Sequence, residues 1–140
     1  MSEKEKDKGE FQEIKLLTKE DILKANDSQK KLVDVSKWWG GSVYVKSLTA
    51  TERDKFDESI QKMDDDGKSI PVLENMRAKL CALTICDANG VRLFGNDDIV
   101  NLGKKNAGAV EKCFDVAREL NGMRKEDLEK MAKNSEKGQS

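Results

Sequence analysis

Apolar residues are spaced unevenly along the chain, and their spacing separates two polar ends from a patterned middle region. Residues 1–13 alternate Lys, Glu and Asp and offer almost nothing to bury, which predicts a disordered tail. Residues 14–122 contain most of the apolar positions, and we predict that they form a single domain. Residues 123–140 are charged and only weakly apolar, which predicts a flexible or partly helical tail.

The first helix signal is the stretch "LLTKEDILKAND". Thr18 is a good N-cap residue, and Asp21 lies three positions later, near the positive end of the helix dipole. Ile22 and Leu23 supply a small apolar face. We therefore predict a short helix of about two turns.

Two strand-like runs, "KLVDVSKW" and "SVYVKSL", are separated by Gly40 and Gly41, which predicts a β-hairpin near residues 31–47. Both glycines can adopt positive φ in a tight reversal. Neighbouring strand residues point to opposite faces, so Trp38 and Trp39 are not expected to share a face. We expect Trp39 to anchor the hairpin on the core, and Trp38 to cover the turn or face outward.

A second helix is predicted where Thr49 and Glu52 form a capping box. Phe56, Ile60 and Met63 then follow at helical spacing, and the polar "DDDGKS" ends the helix as a loop.

The next helix is predicted in "PVLENMRAKLCALTICD", with Pro71 in its first turn. Leu73, Met76, Leu80 and Leu83 form one stripe along it. The end of this stretch, "LCALTIC", is apolar nearly all round, so we expect it to be the most buried segment.

Three signals complete the predicted domain. The Asn-Gly turn in "DANGVRLFG" predicts a small hairpin or a single strand that joins the first pair. The stretch "NDDIVNLGKK" predicts a short helix capped by Asn96, and "NAGAVEKCFDVARELNG" predicts a longer helix that ends at Gly122. The predicted fold class is therefore α+β, mainly helical, with a small antiparallel sheet.

The charge pattern narrows the possible partners. The chain has 26 basic and 27 acidic residues, intermixed, and a formal net charge of -1. No basic face is indicated, so we predict no nucleic-acid binding. No apolar run approaches the roughly 18 residues of a membrane span, and the N-terminus lacks the apolar core of a signal peptide. We predict no membrane association and a cytoplasmic location.

The inventory of reactive side chains argues against catalysis. There are three cysteines without C-x-x-C spacing and no histidine, which disfavours a disulfide framework, a zinc site and neutral-pH proton transfer. An EF-hand loop with its glycine at Gly67 would begin at Lys62 and end at Leu73. Both of these positions must supply carboxylate ligands to calcium, and neither residue has a carboxylate, so the sequence disfavours an EF-hand. We predict no metal, no cofactor and no enzymatic activity.

Binding is the remaining class of function. Interface hot spots favour Trp and Tyr, and the predicted hairpin holds both tryptophans and the only tyrosine. The alternative is that these rings only pack in the hydrophobic core. The candidate partner-binding residues are Trp38 and Tyr44.

The blocks "WGGSVYVKSLTATERDKF" and "AKLCALTICDANGVRLFGNDDIVNLGKKNAGAVEKCFDVARELNG" resemble the tail assembly chaperones of long-tailed phages and prophages. The PBSX-like prophage kind of Gram-positive hosts is the most similar. The resemblance covers most of residues 30–122. It places Trp39 at the family's tryptophan position and makes Trp38 an addition of this chain.

This resemblance implies a non-enzymatic role in the host cytoplasm. Such chaperones bind the tape measure protein, assist assembly of tail-tube subunits around it, and are absent from the mature virion. In many members a ribosomal frameshift appends a second domain. The resemblance leaves self-association open. The alternative function is a minor structural tail or head–tail connector protein that is retained in the particle.

Overall fold

A computed structural model of the chain describes residues 13–124 and 126–127. Its α-helices are α1 Lys19–Lys24, α2 Ser36–Trp39, α3 Ala50–Ser59, α4 Met76–Thr84, α5 Ile99–Gly103 and α6 Ala107–Leu120. A 3-10 turn spans Asn96–Asp98. The strands are β1 Lys30–Asp34, β2 Ser42–Lys46, β3 Gln61–Met63, β4 Ser69–Pro71 and β5 Ile85–Cys86.

The main sheet is antiparallel with the order β1-β2-β5. Alternation of side chains puts Val33, Val45 and Ile85 on one face, where all three are buried against α4 and α6. A separate two-stranded antiparallel sheet pairs β3 with β4, and β3 contacts helix α3. The predicted α+β class with a small antiparallel sheet is confirmed.

Helix α4 and strand β5 form the centre of the core. Every residue from 80 to 86 is buried, as predicted for "LCALTIC". The single polar residue among them, Thr84, donates its hydroxyl to the Leu80 carbonyl at 2.8 Å. That bond satisfies the hydroxyl inside the helix, so a polar group costs little at this depth.

Helix α6 behaves as its sequence predicts. The Asn106 side chain accepts the Gly108 N–H at 2.8 Å and caps the first turn. At the other end Gly122 has φ +65°, and the Met123 N–H donates to the Arg118 carbonyl at 2.9 Å. This pattern closes the helix in a Schellman motif, which confirms the predicted stop at Gly122.

Asn121 joins the end of α6 to the start of α3. Its side-chain oxygen accepts the Leu48 N–H at 2.7 Å, its amide donates to the Ala117 carbonyl at 2.8 Å, and its own carbonyl accepts from Arg53 at 3.1 Å. The adjoining capping box of Thr49 and Glu52 is present as predicted. Two stretches that carry the family resemblance, "TERD" and "ELNG", therefore contact each other through the hydrogen bond between Arg53 and Asn121.

The predicted tight turn between the first two strands is wrong, because a full helical turn, α2, occupies the connection. The Asp34 carboxylate accepts the Ser36 N–H at 2.9 Å and starts the turn. Gly40, at φ +80°, ends it. The two indoles thus belong to a helix, so strand alternation does not separate them.

The helix boundaries predicted between residues 60 and 75 are also wrong, although the turn predicted at "DDDGKS" forms. Helix α3 ends at Ser59, and Met63 lies in a strand with 67% of its surface exposed. The Asp64 carboxylate accepts the N–H groups of Asp66 and Lys68, which folds "DDDGKS" into a hairpin turn. Pro71 therefore lies at the end of β4, where it pairs with Gln61, and α4 begins only at Met76.

The following segment confirms one prediction and corrects another. The Asn-Gly turn forms a small hairpin, with Gly90 at φ +82° and Cys86 paired with Arg92, and β5, which joins β2, precedes the turn. Asn96 does not cap the next helix; the Asp98 carboxylate instead accepts the Gly95 N–H at 2.7 Å.

The predicted disordered tail falls almost wholly outside the described residues, as does most of the predicted C-terminal tail beyond residue 122. Met123 is buried in the main core. Within the part of the chain that the structure describes, no helix is both long and apolar enough to cross a membrane.

Candidate functional site

Both tryptophans of α2 are half-buried and pack on the body of the protein. Trp38 lies against the first turn of α6: a Cβ added at Gly108 would stand 2.9 Å from its Cζ2 atom. Trp39 instead lies near Phe94 and Leu102. The prediction that only Trp39 would anchor the hairpin is corrected, since consecutive positions of one helical turn let both rings contact the body.

The face of the main sheet that points away from α4 and α6 carries Tyr44 at its centre. Leu32 lies opposite Tyr44 on β1, and Cys86 lies opposite it on β5. Leu32 is 57% exposed, and Tyr44 is half-buried. We call the surface formed by Leu32, Tyr44 and the lysines beside them the outer face.

Lysines partly cover the outer face. The Lys30 ammonium lies 5.0 Å from the centre of the Tyr44 ring, a cation–π contact, and donates to the Ala88 carbonyl. Lys46 is 3.7 Å from Glu52. Burial raises the pKa of the Cys86 thiol, and the positive charges of Lys46 and Lys30 act in the opposite direction. The outer face is thus apolar at its centre, with the Lys30 ammonium and the Lys46–Glu52 ion pair beside it.

A second exposed apolar surface lies N-terminal to the sheet, in residues 13–29, which we call the arm. Helix α1 forms there as predicted, with a complete capping box between Thr18 and Asp21. None of its residues is buried. Five large aliphatic side chains of the arm are 57–85% exposed: Ile14, Leu16, Leu17, Ile22 and Leu23.

Sequence reasoning did not identify the arm as a candidate site. The signal was present, because the arm places five large aliphatic residues within ten positions of an otherwise polar segment. The predicted helix was placed within the single domain of residues 14–122, and its apolar face was described only as small. An exposed cluster of this kind is typical of a binding surface.

Two clefts of the body lie close to the helices that carry or contact the tryptophans. The apolar cleft beside Trp39 has a volume of about 220 Å³, below the usual range of ligand pockets. A larger cleft of about 540 Å³ lies between α4 and α6. Arg77 and Glu111 line this cleft and form an ion pair at 2.5 Å, and Lys105 also lines it.

The three thiols are not poised for chemistry. Cys81, Cys86 and Cys113 are free and buried. Burial raises the pKa of Cys113 to about 11 and that of Cys81 further, so both remain protonated at neutral pH. Among residues 13–124 and 126–127, no three His, Cys, Asp or Glu side chains are grouped as metal ligands.

The two predicted binding residues lie on different surfaces. Tyr44 is on the outer face, and Trp38 packs on the first turn of α6. Their role in partner binding stays a prediction. Leu32 and the arm were not predicted and are the more exposed apolar groups.

Comparison with known families gives the class of the protein. A sequence model of the family described as "Phage tail assembly chaperone" matches residues 18–134 of the 140-residue chain. The match includes α1, the whole sheet and helix α6. The chain therefore belongs to the phage tail assembly chaperone family.

A solved structure supports the same fold. The chain is similar to the tail assembly chaperone of bacteriophage HK97, with a TM-score of 0.50 and 14% sequence identity. The alignment covers 66% of this chain and 85% of that one. No curated protein sequence matches significantly. At this level of identity the structural likeness concerns the fold alone.

Proposed function

We propose that this tail assembly chaperone binds the tape measure protein in the host cytoplasm, assists the tail-tube subunits in assembling around it, and acts without catalysis. Membership of the family over residues 18–134 is the observation that carries the proposal. The tape measure protein as client comes from the sequence resemblance. Release before the particle is complete is part of the same proposal.

The surface of the protein suits a helical, aggregation-prone client. The outer face offers Leu32 and Tyr44 with lysines beside them, which matches an amphipathic helix with acidic flanking residues. Intermixed charges over the rest of the body favour solubility of the uncomplexed chaperone. Contacts of this limited size are readily displaced by arriving tube subunits.

Co-expression with the tape measure protein tests the proposal. A tagged chaperone should co-purify with the client and raise its soluble fraction. Leu32→Ser should reduce the recovered client several-fold, because it removes the most exposed apolar group of the outer face. Val100→Ser is a matched control: Val100 is 58% exposed and lies on α5.

Two outcomes would count against the proposal. Absence of co-purification with the wild-type chaperone would contradict the client assignment. Equal losses with Leu32→Ser and Val100→Ser would show that the client does not bind at the outer face, although the client itself would still be correct.

Mass spectrometry of purified particles tests release. We expect no peptides of this chain in mature virions. Stoichiometric recovery would instead indicate a minor structural tail or head–tail connector protein.

The PBSX-like kind from Gram-positive hosts is the subgroup that we propose on the sequence resemblance. Genomic context checks it. We expect a neighbouring gene for a very long coiled-coil protein, preceded by an overlapping −1 reading frame. A different gene order would exclude the subgroup without excluding the family.

A further inference from the structure

A third cleft, with a volume of about 350 Å³, lies between α3, α4 and the segment that follows the Asn-Gly turn. Its apolar lining comes from three elements: Phe56, Leu83 and Ile99. Its positive charges also come from three separate places along the chain: Lys55 on α3, Lys79 on α4 and Arg92 after the turn. We call this surface the cationic cleft. An apolar lining with a few charged groups is the usual composition of a binding site.

Arg92 is fixed by one hydrogen bond and has further donors to offer. Its Nε donates to the Ala82 carbonyl, in the last turn of α4, at 2.9 Å. Its Nη2 nitrogen is buried and has no acceptor among the described residues. Because buried donors are normally hydrogen-bonded, this nitrogen favours a ligand that supplies an acceptor. Arg92 as a whole is only half-buried and lines the cleft, so its guanidinium can be approached from there.

Arg118 also has a buried guanidinium nitrogen without an acceptor, and a comparison with it shows what distinguishes Arg92. The guanidinium of Arg118 donates to the Met123 carbonyl at 3.2 Å and lies 3.6 Å from the Asp115 carboxylate. Its charge is therefore balanced within the chain. In the described part of the chain, no carboxylate forms an ion pair with the three cations of the cationic cleft.

The other charged groups of the cleft leave its positive charge in place. The Lys79 ammonium donates to the Ser59 carbonyl at 2.7 Å, which fixes its position and uses one of its three donors. Among the described residues that line the cleft, Glu52 alone has a carboxylate. That carboxylate accepts the Thr49 N–H at 2.9 Å and lies 3.7 Å from the Lys46 ammonium. The cationic cleft is therefore suited to an anion.

The cationic cleft adjoins the outer face in two places. Cys86 lies opposite Tyr44 on one side and opposite Arg92 on the other. Lys46, two positions after Tyr44 on β2, forms the ion pair with Glu52, which lines the cleft. Residues directly opposite each other in neighbouring strands are about 4.5–5.5 Å apart, so the two surfaces are within reach of one bound segment.

We propose that the cationic cleft binds an acidic side chain of the client, beside the apolar residues that contact the outer face. The client segment is then an amphipathic helix with a Glu or Asp next to its apolar stripe. That carboxylate accepts hydrogen bonds from Arg92 and Lys79, and such charge-assisted bonds orient a segment that apolar contacts alone leave free to rotate. This inference rests on the proposed function, because it specifies the chemistry of the client.

Charge reversal in the co-expression assay tests the cleft. Lys55→Glu should reduce the recovered client by at least about threefold, because it places a negative charge beside the bound carboxylate. Lys104→Glu is the matched control, since Lys104 is exposed, lies outside the cationic cleft, and its replacement changes the net charge equally. Circular dichroism of both variants checks that they are folded.

Salt and a conservative variant distinguish an ionic contact from a purely structural role of the cleft. Raising the salt concentration from about 0.1 to 1 M shortens the screening length from about 10 to 3 Å. It should lower client recovery by the wild type more than recovery by Lys55→Glu. Arg92→Lys keeps the charge but loses the planar pair of donors, so recovery should fall while the salt dependence remains.

A synthetic peptide tests the cleft without the client. The probe is an amphipathic helix of Leu, Ala and Gln with both ends blocked and one Glu beside the Leu stripe; the control peptide has Gln in place of that Glu. The Nε–H signal of Arg92 in the full-length chain is identified by its absence from Arg92→Lys. It should shift with the Glu peptide and several-fold less with the Gln peptide at the same concentration.

The outcomes separate this proposal from the proposed function. Equal client recovery with Lys55→Glu and Lys104→Glu would overturn the cleft and leave the client assignment intact. Equal shifts with the two peptides would also overturn it. So would an equal shift with inorganic phosphate, or with a Gln peptide whose C-terminal carboxylate is free. A wild-type chaperone that recovers no client would contradict the proposed function, and the peptides would then decide whether the cleft binds an acidic side chain.

Discussion

Helices α4 and α1 have opposite relations to the rest of the molecule. Helix α4 has no side-chain cap at its start, yet six of its nine residues are buried. Helix α1 has a complete capping box and no buried residue. Capping therefore decides where α1 starts, whereas packing holds α4 in place.

This difference indicates that the region around α4 determines the stability of the fold, whereas the arm is available for binding. Apolar side chains around α4 are used inside the body, and those of the arm are left on the surface. Substitutions in the two regions should therefore have different consequences. The arm should tolerate polar replacement, and the core should not.

The largest expected contrast comes from matched Leu→Ala changes. Leu80→Ala should lower the free energy of unfolding by about 2–5 kcal/mol, because Leu80 is fully buried. Leu23→Ala should change it by less than about 0.5 kcal/mol, since Leu23 is 73% exposed. Urea denaturation of the two variants measures both changes in the free energy of unfolding. Equal losses would show that the arm packs on its own body.

The two tryptophans test the intermediate case between buried and exposed. Trp38→Ala and Trp39→Ala should each cost about 1–3 kcal/mol, below the cost of a fully buried ring, because both indoles are half-buried. Denaturant unfolding followed by circular dichroism measures each loss. A negligible loss for Trp38→Ala would show that this ring does not stabilise the fold, and partner binding would then remain its predicted role.

Substitution of Asn121 tests whether hydrogen bonds between α6 and the start of α3, as well as apolar packing, stabilise the body. Asn121→Ala should cost about 1–3 kcal/mol, because the Leu48 N–H loses its partner in a partly buried position. Asn101→Ala, on the exposed surface of α5, is the control and should be nearly neutral. Thermal unfolding of both variants checks the difference.

The last effect is confined to alkaline pH. The Cys113 thiol has its pKa raised from 9.0 to about 11 by burial, so the unfolded chain loses this proton first as pH rises. The contribution to stability is complete below about pH 9 and is lost progressively toward pH 11. Urea midpoints over this interval should fall less steeply for Cys113→Ala than for the wild type.

Local signals predicted the parts of the fold that depend on neighbouring residues. The capping boxes at Thr18 and Thr49 and the stop at Gly122 each involve groups within a few positions, so they could be read from the sequence. The burial of "LCALTIC" was equally clear, because a segment that is apolar on every side has no solvent face.

The failures concern contacts with distant or competing partners. Helical spacing suggested that Met63 continues α3, but pairing with Ser69 places it in a strand. The Asp34 carboxylate started a helical turn where glycines suggested a simple reversal. In the candidate site, Tyr44 could be selected by residue type, while the exposure of Leu32 and the arm depends on the absence of a covering element among the described residues.

Hydrogen exchange of the backbone amides, with and without a soluble fragment of the tape measure protein, tests the central claim most directly. We predict slower exchange in peptides that cover β1 and β2, around Leu32 and Tyr44, and no change in the β3–β4 hairpin. The reference state is the client-free chaperone at the same concentration. Protection confined to other surfaces, or none at saturating client, would contradict a chaperone that holds its client on the outer face.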